Sequence, residues 1–191
     1  MDSEICTESF HVADLSDPTG LPFVADSSQD VVLAMNVLQY IEGELDQVAH
    51  VLREVRRVLS PRGLACLVVW GDEKECPALS IPIVLTQGDV PQGSGPFRFS
   101  DPTGLMKLVS LVGFTEEETQ LVSGEITVEF DSIGAYSDWA CTALEGKCDR
   151  VALASTLRDY FAQQHPERDV DKDEPVGLGA VFHLIILSRS G

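Results

Sequence analysis

Between Asp30 and Trp70 an apolar stretch, DVVLAMNVLQYI, is followed by a helix-patterned one, ELDQVAHVLREVRRVL, and then by a second apolar stretch, LACLVVW. No other feature narrows the fold as far. The first run follows the polar SSQD and is continuous enough for a strand buried on both faces, losing strand character near Met35-Asn36. The middle segment places Leu45, Val48, Leu52, Val55 and Leu59 on one helical stripe, with Arg53, Glu54, Arg56 and Arg57 outside it. Ser60-Pro61-Arg62-Gly63 is expected to stop that helix, by proline geometry and by a glycine able to take positive φ. Strand, helix and strand at this spacing make a βαβ unit, hence a parallel sheet with a right-handed crossover.

The rest of the chain continues the alternation. A strand end is expected at Phe10–Ala13, before Asp14 and a polar turn. The segment from Gly71 to Gly95 is looser, with IPIVL as a helical turn or a short extended piece. FSDPTGLMKLVSLVGF supplies an N-cap (Ser100 or Asp101), a first-turn proline and the apolar Leu105, Leu108, Val109 and Val112. ETQLVSGEITVEF supplies one or two strands, residues 132–164 two helical stretches, and AVFHLIILS a last strand. The hexapeptide SDPTGL occurs at Ser16–Leu21 and Ser100–Leu105, but its flanks differ, so it marks two similar turns and no repeat architecture.

Composition excludes several classes. A net charge of −18 repels phosphate backbones and anionic lipid, so neither nucleic acid nor membrane is an expected partner. The longest apolar runs fall far short of the roughly 20 residues needed to cross a bilayer. MDSEICTES lacks the basic and apolar parts of a secretory signal, which makes cytoplasmic the expected location. Five cysteines without CxxC spacing read as reduced thiols, and four histidines without HExxH spacing predict no metal site. His183, inside an apolar run, reads as a satisfied core or edge residue. Glu116-Glu117-Glu118 reads as a solvated turn and Asp169–Glu174 as a solvated loop.

Taken in order, LPF, DVVLAMNVLQYI, VLREVRRVLSPRGLACLVVW and PFRFSDPTGLMKLVSLVGF resemble the class I S-adenosylmethionine-dependent methyltransferases of the ubiquinone/menaquinone-biosynthesis-like, methyltransferase type 11-like kind. Arg53 to Gly63 is the closest match, departing at Arg62, where that family has glycine. The resemblance implies an α/β fold: a Rossmann-like doubly wound sheet of order 3-2-1-4-5-7-6, with a helical insertion before the last strand. It also implies truncation at the N-terminus, the first two strands being missing. The chain then reads as one domain over residues 1–191. Residues 10–71 form a βαβ remnant of the donor-binding half, and residues 97–191 the C-terminal half with a helical cap at 132–164.

In such enzymes four elements hold S-adenosylmethionine. Carried over by position, Asp14 with Leu15 corresponds to the adenine contact, with Asp17 as a competitor for that role. Ala34-Met35-Asn36 corresponds to the turn beside the sulfonium. The Gly-rich loop and the ribose-binding carboxylate have no counterpart, so donor binding is expected to be weak or lost and catalytic competence is open. Methyl transfer rests on proximity and alignment, so no catalytic side chain is named. A small-molecule acceptor would lie under residues 132–164, where Tyr136, Trp139, Tyr160 and Phe161 either line a pocket or pack as core. The missing strands would leave the fourth-strand edge bare. Three outcomes are open: the Phe10 strand pairs there, a second chain or another copy covers it, or the chain is a fragment. A non-catalytic, methyltransferase-like partner subunit is the alternative function.

Overall fold

The computed structural model describes residues 11–15, 17, 20–41, 43–88, 95–144, 146–167, 169, 172 and 174–190. Nine main elements follow in chain order: β1 (Gln29–Met35), α1 (Leu45–Val58), β2 (Leu59–Trp70), α2 (Pro77–Gln87), α3 (Thr103–Leu111), β3 (Thr119–Phe130), α4 (Ile133–Ala143), α5 (Arg150–Gln164) and β4 (Val176–Ser188). The strands form one sheet of order β1-β2-β4-β3. β1 and β2 are parallel, whereas β4 runs antiparallel to both β2 and β3. This reproduces the 4-5-7-6 portion of the expected order, with β1 as an edge strand.

The expected strand at Phe10–Ala13 is not found where it can be judged. Phe10 lies outside the described residues, and His11–Ala13 are exposed and without strand pairing. His11 stacks instead on Phe23, with ring centroids 4.3 Å apart. The segment that follows is clamped to α1 and not to the sheet. Glu54 accepts from the Leu21 backbone N–H at 2.8 Å, and the Arg57 guanidinium donates to Glu54, Asp26 and the carbonyls of Leu21 and Val24. Gly20 sits at φ +65°, and a Cβ there would fall 2.1 Å from the Glu54 carboxylate, so only glycine lets the loop approach this closely. Of the charges expected on the outside of the helix, Arg53 is exposed, but Glu54 and Arg57 are half-buried anchors.

Ser60–Gly63 also departs from expectation. Gln29 pairs with Leu59 and Val31 with Leu64, so residues 60–63 bulge out of β2 opposite Asp30. Arg62 takes φ +72°, the left-handed conformation that the sequence assigned to Gly63. Backbone bonds pin the bulge: Arg62 N–H donates to the Arg189 carbonyl, and Arg189 N–H to that of Gly63. The Arg189 side chain reaches the carbonyls of Arg56 and Leu59, capping the C-terminal end of α1 with a cation.

The proline-punctuated segment after Gly71 holds a helix, α2, with Pro77 in its first turn. Pro82 lies inside it and cannot donate to the Ala78 carbonyl one turn back. That carbonyl accepts instead from the buried Tyr136 hydroxyl at 2.8 Å, which ties α2 to α4. α3 begins at Thr103, with Asp101 accepting from its N–H at 3.0 Å, so Asp101 and not Ser100 supplies the side-chain bond.

Two cores result. α1 and α3 cover one face of the sheet, burying Leu52, Val55, Leu67, Leu105, Ile185 and Leu187. α4 and α5 pack over the start of β4, burying Tyr136, Leu153, Leu157, Phe161, Val176 and Leu178. His183 is buried with both ring nitrogens engaged, by the Ser100 carbonyl and the Ser123 hydroxyl. Glu118 is not solvated as expected. It is 5% exposed, and its carboxylate accepts from the N–H groups of Thr115 and Ser190 and faces Arg56 at 3.5 Å. Those backbone donors, more than Arg56, pull its pKa down to about 2.

Candidate cofactor site

The C-terminal end of β1 is where a doubly wound sheet would take a ligand. The strand ends at Met35, and Asn36 turns the chain at φ +55° while its N–H donates to the Val68 carbonyl at 2.8 Å. A short 3-10 turn, Leu38–Tyr40, follows and buries Leu38 and Gln39. Alternation along β1 sends neighbours to opposite faces. Ala34 packs inward toward α1, while Met35 points outward and is 62% exposed.

Of the residues expected to touch the donor, Leu15 and Ala34 come together. Both line a cavity of about 170 Å³, with Val32, Val51 and Val55 among its other walls. Met35 and Asp14 are not part of that lining. Asp14 is exposed, and its backbone carbonyl accepts from Asp17 N–H at 3.1 Å. Glu54 is the charged group at the cavity, and its carboxylate is committed to Arg57, whose hydrogen bond holds its pKa below the ordinary value. About 170 Å³ falls short of the roughly 300–1,000 Å³ of cofactor pockets. The residues that meet here therefore do not by themselves fit a nucleoside-sized donor.

The turn after β1 carries a signal that the sequence did not offer. Gln39 is 2% exposed, and both ends of its amide are buried without a partner among the described residues; so is the Asn36 Oδ1. Buried side-chain polar atoms are nearly always hydrogen-bonded, and each exception calls for a ligand, a water or a functional reason. Three such atoms within four residues single out this turn.

Beside it, β1 presents a bare edge and a bare face. Val31, Leu33 and Met35 are 58, 65 and 62% exposed. The register sets them against Leu64, Cys66 and Val68 of β2, none of which is fully buried. The same face runs on through Ile186 and Leu184 of β4 to Val122 of β3. An open apolar face of this extent is unusual for a chain on its own.

Residues 3–67 match the family model described as a methyltransferase domain. Among solved structures, a protein of Bacillus halodurans assigned as a methyltransferase aligns over 92% of this chain and 70% of its own, at 15% identity and a TM-score of 0.51. The chain has a methyltransferase fold. The YcgJ protein of Bacillus subtilis aligns over 91% of this methyltransferase-like chain and 69% of its own, also at 15% identity and a TM-score of 0.51. A SAM-dependent methyltransferase from Archaeoglobus fulgidus aligns over 93% and 66%, at 10% identity and a TM-score of 0.43. No curated protein matches the chain. Within this methyltransferase fold, no described helix is long and apolar enough to cross a membrane.

Proposed function

We propose that the chain is the C-terminal portion of a SAM-dependent small-molecule methyltransferase, whose donor site is complete only when further polypeptide covers the β1 edge. The observation that carries this reading is the trio of unpartnered amide atoms of Asn36 and Gln39 at the C-terminal end of a parallel edge strand. Val37, in the same turn, lines the cavity together with Leu15 and Ala34, while Asp14 and Met35 are exposed. Residues 10–71 are the remnant of the donor half and residues 97–191 the other half, in one cytoplasmic domain. No side chain is assigned to the transfer itself, which would run on proximity and alignment.

On this reading the isolated chain binds S-adenosylmethionine weakly or not at all. Calorimetric titration of the purified chain tests it, and low-micromolar binding would overturn the claim that the site is incomplete. Gln39→Met tests the turn. Replacing an orphan amide by an apolar group of similar length should stabilise the unliganded chain by about 1–2 kcal/mol. Unchanged stability would mean that water satisfies the amide and that Gln39 awaits no ligand.

A second reading is favoured by the bare outer face of β1: a non-catalytic methyltransferase-like subunit that uses the edge for assembly. The occupant would supply a strand parallel to β1 and apolar helices over Val31, Leu33 and Met35. The two readings part if the assembled complex is purified. Donor binding by that complex supports the enzyme, and a folded complex that binds no donor supports the subunit.

A further inference from the structure

Four cysteines are described, and two of them meet. α4 ends at Ala143, and the chain reverses through a 2.8 Å bond from Gly146 N–H to the Cys141 carbonyl, with Gly146 at φ +74°. A second bond, Lys147 N–H to the Leu144 carbonyl at 3.0 Å, tightens the same turn. The reversal brings Cys148 back against Cys141 just before α5 begins at Arg150. The Cys141 thiol donates to the Cys148 carbonyl at 3.3 Å, while the Cys148 thiol lies 4.0 Å from the Asp149 carbonyl. Cys148 is 7% exposed within the α4–α5 core, whereas Cys141 is only half-buried. Cys66 and Cys76 lie elsewhere, on β2 and before α2, the latter donating to the Val181 carbonyl.

We infer that Cys141 and Cys148 are a reversible dithiol site that closes to a disulfide by exchange with a low-molecular-weight disulfide of the glutathione type. Exposure assigns the order. The Cys141 thiolate attacks one sulfur of glutathione disulfide, forming a mixed disulfide and releasing one glutathione thiolate. The Cys148 thiolate then attacks the Cys141 sulfur, and the second glutathione leaves. Two protein thiols lose two protons and two electrons, and one glutathione disulfide becomes two glutathione thiols. Burial and the neighbouring thiol push Cys148 up to about 11, which makes it a poor first attacker. Held against Cys141, it needs no encounter from solution to resolve the mixed disulfide. The built turn supplies the proximity that the absence of CxxC spacing concealed.

The test uses the full chain, reduced and then equilibrated in buffers of graded glutathione to glutathione-disulfide ratio, blocked with N-ethylmaleimide and digested with trypsin. Cleavage after Lys147 separates the two cysteines, so the disulfide joins the tripeptide Cys148–Arg150 to the peptide ending at Lys147. This linked peptide, lighter by two hydrogens than its parts, is expected to replace the blocked forms as the buffer becomes oxidising. Cys148→Ser should leave Cys141 as a stable glutathione adduct, while Cys141→Ser should leave Cys148 blocked by maleimide at every ratio. The inference is overturned if both wild-type thiols stay blocked throughout, if wild-type Cys141 stops at the mixed disulfide, or if the link forms only in denaturant.

Discussion

The two faces of β1 and β2 are built from the same kinds of residue and have opposite fates. On the inner face Val32 and Ala34 meet Ala65, Leu67 and Val69, and the three β2 residues are fully buried beneath α1 and α3. On the outer face Val31, Leu33 and Met35 stand more than half exposed one position away. Composition along the strand does not decide burial; the helix that comes back to cover the face does. The crossover through α1 provides that cover on one side only.

The comparison breaks most decisively at matched truncations. Leu67→Ala on the inner face should cost about 2–5 kcal/mol, and Leu33→Ala on the outer face within about 0.5 kcal/mol. Urea unfolding measures both, and equal losses would mean that the outer face is covered in solution. A smaller effect is expected at the clamp. Arg57→Ala should cost about 2–3 kcal/mol, since it strips donors from Glu54 and from the carbonyls of Leu21 and Val24. Hydrogen exchange should then accelerate at Leu21, and unchanged exchange would show that the loop stands without the clamp.

Glu118 sharpens the comparison through pH. Its folded pKa of about 2 lies below its ordinary 4.5, so its contribution is fully present above pH 4.5. It is lost as the pH falls from about 4.5 toward 2, because the unfolded chain then binds the proton more readily. The swing should be on the order of 3 kcal/mol, and Glu118→Gln should flatten the acid limb of the stability profile. The smallest effect belongs to Arg62→Gly. At φ +72° a glycine avoids a steric cost of about 1 kcal/mol, part of which returns as entropy of the unfolded chain. A thermal melt should rise slightly, and a fall would show that the Arg62 side chain contributes more than its backbone costs.

Much of this was legible in residue order. Continuous apolar runs place β1, β2 and β4, and helical spacing places α1 and α3, because each of them buries apolar residues against its neighbours. What stayed hidden depends on partners far along the chain. Glu118 looks like one of three equivalent glutamates until Ser190 and Arg56 fold against it. Glu54 and Arg57 look solvent-facing until Leu21 and Val24 arrive. α2 is masked by Pro82, whose lost hydrogen bond only Tyr136 explains. At the candidate site, position along the chain led to Leu15 and Ala34, which meet, and to Met35, which the strand's alternation turns away. Gln39 carried no sequence signal, since an unpaired amide is visible only once its surroundings are closed.

The central place of β4 sets the order in which the molecule can assemble. β2 borders β1 across a short crossover, but its other edge waits for a strand more than a hundred positions later, when Leu64 pairs with Ser188. β3 waits for the same strand, register by register, from Thr119 opposite Leu187 to Phe130 opposite Val176. Such distant pairing folds slowly. During synthesis the βαβ unit and the β3 segment therefore coexist as two sticky halves, and β4, which leaves the ribosome after both, is the strand that joins them.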